Sequence, residues 1–214
     1  MAIVNDTALD IAFASTSPST TSFTTGSINN GYLVVAILGL NTQSDVVTAT
    51  YNGVSMTKLI FQANGISETQ TLFGLYSPPS GAHNIVVTFS CPYIIGAAVS
   101  YAGVLQTGQP NNTAHGEQPS NVTSLNAAII TSVDNCRLFM LSRSQTAQSV
   151  GADTTQLAGG ASPTVGYWDS GSTVFSAGSN ALNTTFSASS IFWTIIALAP
   201  SLGSPSKFAL LGVG

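Results

Sequence analysis

His115 and Glu117 stand two residues apart in the polar segment TGQPNNTAHGEQPSN at 107–121, and an imidazole beside a carboxylate is the raw material of acid–base chemistry. Joined by Asp153 or Asp169, they would supply the convergent groups that a polysaccharide lyase or hydrolase needs. His83 is the second histidine and opens a strand after a Pro-Pro turn. The 29 serines allow a Ser-His-Asp triad on paper, but none sits in a nucleophile-elbow context, and Gly53-Val54-Ser55-Met56 reads as the return strand of a hairpin. Titratable groups are too scarce to favour an enzyme, and both histidines are read as solvated loop residues.

Metal chemistry is no better supplied. Two Cys and two His, scattered, lack the short spacings of a zinc site. Asp134, Asp153 and Asp169 each lie near a turn, where calcium could find oxygen ligands, but none belongs to a regular calcium loop. The glycine-rich stretch 151–166 has no following Lys and no expected helix, so it is no phosphate loop. No metal and no cofactor is expected. Cys91 and Cys136 sit in apolar, strand-like surroundings and are expected as buried free thiols.

The aromatic residues divide. Tyr32, Phe192 and Trp193 lie inside apolar runs and read as core. Tyr167 and Trp168 adjoin the polar tip Asp169-Ser170-Gly171 and leave two readings, a core anchor or a platform for a sugar ring or partner protein. Together with Asn111, Asn112, His115 and Gln118 of the polar segment, they are the candidate ligand or partner contacts. Joint exposure of Tyr167 and Trp168 would favour glycan binding, and joint burial would count against it.

Whatever these residues do, strands must position them. Of the 214 residues only 12 are charged, 6% where an ordinary soluble domain has about 25%. Ser and Thr number 54, with 20 Gly and 14 Asn, so most of the polar surface is neutral. Four basic residues, Lys58, Arg137, Arg143 and Lys207, make no nucleic-acid footprint. The runs LVVAIL (33–38) and FWTIIALA (192–199) fall short of the roughly 18 residues of a membrane helix, so no membrane insertion is expected. The start MAIVNDTALDIAF has neither a basic region nor a sustained apolar one, so no secretion signal is read and a cytoplasmic site of assembly is expected.

No ten-residue stretch carries a helical apolar stripe. Instead about twelve short strands follow one another between Gly, Pro and Asn turns, which predicts one all-β domain over residues 1–199, an antiparallel sandwich of two sheets. Tyr32–Leu40 is nearly all apolar and predicts a central strand covered on both faces. Val46–Tyr51 and Val54–Phe61 flank Asn52-Gly53, a type I′ hairpin signal. Thr69–Tyr76, Asn84–Ser90 and Ile94–Tyr101 follow, with a rigid Pro-Pro turn at 77–81. Residues 107–121 predict a long exposed loop, and Asp169-Ser170-Gly171 a tight hairpin between Thr164–Trp168 and Thr173–Phe175. Residues 200–214 predict an extended C-terminal arm, in which Phe208, Leu210, Leu211 and Val213 form an apolar patch suited to docking on a neighbouring copy.

The order of the hairpin Tyr51-Asn52-Gly53-Val54, the turn Pro78-Pro79-Ser80-Gly81 and the strand end Ser100-Tyr101-Ala102-Gly103-Val104 resembles a β-sandwich domain of phage-encoded virion proteins, also found in some bacterial surface proteins. The resemblance covers roughly residues 30–105 and returns at 183–199; residues 107–182 carry no such mark. It implies a jelly-roll-like sandwich and a non-enzymatic virion structural role, in capsid decoration or in a tail or fibre. It carries no catalytic set. The expected partners are further copies of the chain, as a trimer, and other virion proteins. A carbohydrate-binding or receptor-binding adhesive module, with a surface glycan as partner, is the alternative.

Overall fold

The run Tyr32–Leu40 carries no charged or amide side chain, and such a strand is stable only where both of its faces are covered. A computed structural model of the chain describes residues 2–41, 46–64, 67–158 and 164–201, and shows how that cover is made. Among these residues there is no helix. The strands of the N-terminal half are β1 (Val4–Ala14), β2 (Ser19–Thr25), β3 (Tyr32–Leu40), β4 (Val46–Tyr51), β5 (Val54–Ser55), β6 (Thr57–Ala63), β7 (Glu68–Tyr76), β8 (Gly81–Phe89) and β9 (Tyr93–Ala102). Those of the C-terminal half are β10 (Asn112–Thr131), β11 (Arg137–Ser144), β12 (Gln148–Val150), β13 (Thr155–Ala158), β14 (Val165–Asp169) and β15 (Gly178–Leu198).

All pairings are antiparallel, and they make three sheets where the sequence predicts two. The first, in the order β1-β9-β3-β7-β6, lies in the middle. Side chains alternate across a strand. Tyr32, Val34, Ala36 and Leu38 therefore enter one core with Phe139, Leu141, Tyr167 and Ile196 of the third sheet. Leu33, Val35 and Ile37 enter a second core with Phe23, Tyr51, Ile85 and Val87 of the sheet β2-β8-β4-β5. The expectation for β3 holds, and its need for cover on both faces is the physical reason for a third sheet.

The Asn52-Gly53 hairpin forms as expected, with φ of 51° and 73° at its two corner residues and Tyr51 paired with Val54. The return strand does not run on to Phe61. It breaks at buried Met56, whose N–H donates to the Ala49 carbonyl at 2.9 Å, and the chain crosses from one sheet to the next. A Cβ at Gly53 would meet nothing within 4 Å, so only backbone strain opposes a side chain there. Gly53→Val is expected to cost about 1–2 kcal/mol, read as a lower urea midpoint at unchanged slope; an equally stable variant would show that the turn is not held in this form.

The third sheet is built on β10 and β15, paired from Asn112↔Ala197 to Thr131↔Gly178. Register shifts between Gln118 and Ser124 bend this long hairpin. The bend brings the ends of β10 together: Asn112 Nδ2 donates to the Ile130 carbonyl at 2.9 Å, although a straight strand would hold these residues roughly 60 Å apart. Beside it, Asn111 Nδ2 donates to Ser132 Oγ at 2.7 Å and Ser132 N–H donates back to Asn111 Oδ1 at 2.9 Å. The sheet thus curls nearly into a barrel filled by Leu125, Ile129, Met140, Trp168, Phe186 and Trp193.

Two local expectations are corrected here. Asn112–Gln118 is strand rather than loop, because the apolar run Ile191–Ala197 of β15 supplies a complete ladder to a polar, outward-facing partner. Gly116 is required in it, since a Cβ would come within 2.7 Å of the Trp193 ring. Asp169-Ser170-Gly171 does turn, with Thr173 N–H donating to the Ser170 carbonyl at 2.8 Å, but no hairpin follows. Phe175 bridges Cys136 instead. At the C-terminal side, Pro200 bridges Val104 and Ser201 N–H donates to Gly103 O at 2.7 Å, so these two residues are tied to the sheets. The rest of the expected arm, with Phe208, Leu210, Leu211 and Val213, lies outside the described residues.

Candidate functional site

Tyr167 and Trp168 are both 0% exposed, which corrects their reading as a ligand platform. The reason is the alternation of β14, which is covered on both faces. Tyr167 points into the core between the first and third sheets, and Trp168 into the interior of the curled sheet, where Nε1 donates to Ser142 Oγ at 2.7 Å. Asn111 and Asn112, expected to touch a ligand, spend their amides on closing β10 upon itself. His115 is exposed on β10 opposite Thr194, and Glu117 is exposed opposite Phe192. Asp169 is fully buried at the level of Ile196, through Phe139, and is not brought to them. Asp153 is exposed and accepts from Thr173 Oγ1 at 3.4 Å. Asp134 accepts from Ala177 N–H at 2.8 Å. Among the described residues no three His, Cys, Asp or Glu gather as a metal-holding group. Cys91 and Cys136 are buried and free, as expected, and burial pushes both thiols up.

The strongest polar cluster is internal. Arg137 Nε and Nη2 donate to Asp169 Oδ2 at 3.0 and 2.5 Å, and Nη1 donates to the Ile3 carbonyl at 3.2 Å. Tyr101 of the first sheet donates to the same Oδ2 at 3.3 Å, and its ring centroid lies 5.4 Å from the guanidinium. Asp169 Oδ1 accepts from Gly171 N–H at 2.7 Å. These contacts satisfy both ions and fasten the first sheet to the third. Sequence reasoning missed the pair, because its members lie 32 positions apart and each carries only a local signal, a strand start and a turn.

Burial raises the Tyr101 phenol well above its ordinary value, with the Asp169 charge adding to it. Burial does the same for Tyr167, with help from Asp10, and for Tyr32, with help from Tyr76. In the unfolded chain these phenols ionise near pH 10. Above that pH the unfolded chain has released protons that the native protein still holds, so stability is fully present below pH 10 and falls as pH climbs toward the raised native values. The urea midpoint is expected to drop steeply between about pH 9 and pH 11; a flat midpoint there would mean that the three rings are not sealed in.

Among the open regions of the described residues, two lie at opposite ends of β3. At the Tyr32 end, a hollow of about 600 Å³ is lined by Leu105, Val133, Ala199 and Pro200, with Asn111 and Asp134 at polar positions. Ser201, the last described residue, lines it too. At the Leu40 end, Glu68 Oε1 accepts from Arg143 Nε at 3.2 Å beside a cavity of about 100 Å³ that Glu117 also lines. Next to it is a hollow of about 330 Å³ with Phe13, Leu40 and Arg143 in its wall. Phe13 stacks on Tyr93 with ring centroids 5.0 Å apart, and the two are 57% and 37% exposed. Neither aromatic stands out in the sequence, because Phe13 ends a weakly alternating segment and Tyr93 follows Cys91-Pro92.

No family model, no curated protein and no solved structure matches this chain.

Proposed function

We propose that the chain is a non-enzymatic structural protein of a phage particle, a capsid decoration or a tail or fibre component, that acts through protein–protein contacts. It works as a homo-oligomer, a trimer, alongside other virion proteins, and is assembled in the host cytoplasm. In this reading the sheets are a jelly-roll-like sandwich and residues 200–214 are its arm. The observation that carries it is the hollow of about 600 Å³ beside Ser201, walled in part by apolar side chains, together with the apolar patch Phe208 to Val213 that follows in the sequence. A neighbour's arm fits such a hollow by its chemistry: Leu105, Val133 and Pro200 offer apolar wall, and Asp134 offers a charge opposite to that of Lys207, the one ion of the arm. The internal use of Asp169, Arg137, Asn111 and Asn112 supports a structural role, as does the resemblance over residues 30–105. Mass spectrometry of particles purified from the producing host should find the chain at a fixed stoichiometry. Its absence from particles whose other proteins are all recovered would end this reading.

A second reading, an adhesive module for a surface glycan or host receptor, is favoured by the exposed Phe13–Tyr93 stack beside the Glu68–Arg143 pair.

A further inference from the structure

Leu40, Glu68 and Tyr93 stand level with one another in the first sheet, through the pairings Leu40↔Glu68 and Leu40↔Tyr93. Three kinds of surface therefore meet at this end of the protein. The first is the Phe13–Tyr93 stack, inclined by only 26° and more exposed than large aromatics usually are. The second is the adjoining hollow, whose volume of about 330 Å³ lies at the small end of the range for ligand pockets and whose wall includes Leu38, Leu40, Ile95 and Val165. The third is the polar cavity beyond Arg143, which lines both spaces and so joins them. There Glu117 offers a carboxylate acceptor, Gln145 and Ser190 offer amide and hydroxyl groups, and Glu68 is held from behind by Asn64 Nδ2 on Oε2 and by Arg143 Nε on Oε1.

We infer that this end of the sheet binds a neutral saccharide. A pyranose ring has one apolar face of C–H bonds and an edge of hydroxyls, each both donor and acceptor. An exposed aromatic ring receives the face, and a mixed set of carboxylates, amides and a guanidinium receives the edge. The lining carries two carboxylates against one guanidinium, which disfavours acidic sugars and phosphate. Arg143 is already fixed, with Nε on Glu68 and Nη1 on the Ser144 carbonyl, so the site is held in position before a ligand arrives. The inference deepens the adhesive reading and is independent of assembly at the opposite end of β3.

Saturation-transfer NMR on the full chain with maltotetraose, cellotetraose and tetra-N-acetylchitotetraose as probes tests it. Transfer to the ring protons of at least one probe is expected. Phe13→Ala and Tyr93→Ala should each weaken that binding about tenfold or more, and Glu117→Gln severalfold, while Val150→Ala, on an exposed residue of β12, leaves it unchanged. Absence of transfer from all three probes at millimolar concentration overturns the inference, as does binding that survives both aromatic substitutions. The oligomeric mass of the same variants is read in parallel, so a failure of sugar binding and a failure of assembly are told apart.

Discussion

Asp169→Ala is expected to destabilise the protein by about 3–5 kcal/mol, which approaches the whole stability of a marginal domain. The substitution strands the Arg137 guanidinium, whose side chain is only 9% exposed, with the Ile3 carbonyl as its remaining hydrogen-bond acceptor among the described residues. It also removes the acceptor of the Tyr101 hydroxyl and of Gly171 N–H. Most of the loss is the penalty of an uncompensated buried charge, not the net worth of the ion pair. Asp169→Asn should therefore fall between wild type and Ala, since it keeps the shape and one acceptor oxygen but leaves the cation unbalanced. Denaturant unfolding of the three proteins decides it. A loss below about 1 kcal/mol for Asp169→Ala would mean that water reaches the pair and that it does not fasten the two sheets.

Trp168→Ala is expected to cost about 3–5 kcal/mol, the usual range for deleting a large aromatic from a packed interior. Its indole fills the curled sheet against Leu138, Met140 and Ile195, and donates to Ser142 Oγ. Gly166 is part of the same fit, because a Cβ there would lie 2.0 Å from the indole Nε1. Trp168→Phe should restore most of the packing but not the hydrogen bond. A surface ligand platform behaves differently: its truncation leaves stability within about 0.5 kcal/mol and reduces only binding. That result for Trp168 would contradict its burial and the closed form of the third sheet.

How far the sequence could be read follows from how local each signal is. The uninterrupted apolar run of β3, the Asn52-Gly53 corner, and the alternation of Ile85, Val87 and Phe89 are complete within a few residues, and all three appear in the structure as expected. The first half of β10 is not legible, because its strand state is imposed by β15, roughly 70–85 residues away in the chain. The curl of the third sheet needs the knowledge that β14 is covered on both faces, Tyr167 by the first sheet and Trp168 by its own sheet. Five residues, VGYWD, are too few to distinguish that from a half-buried strand. For the same reason Tyr167 and Trp168 leave two readings in the sequence and only one in the fold. At the candidate contacts, Asn111 and Asn112 read as ligand or partner contacts until the two ends of β10 are seen to meet. The Phe13–Tyr93 stack joins residues 80 positions apart and has no local signature at all.

The central proposal, assembly of a structural protein through its arm, is tested most directly by the solution mass of two proteins, the full chain and the chain lacking residues 206–214. Light scattering should give three times the 21.9 kDa chain mass for the first, and close to a single chain for the second, with the β-sheet circular dichroism spectrum unchanged. Val133→Glu, on a 40% exposed residue of the hollow, should reproduce the effect of the truncation. A monomeric full chain, or a truncated chain that keeps the oligomeric mass, would contradict the account. Loss of the β-sheet spectrum on truncation would contradict it too, by assigning the arm to its own core.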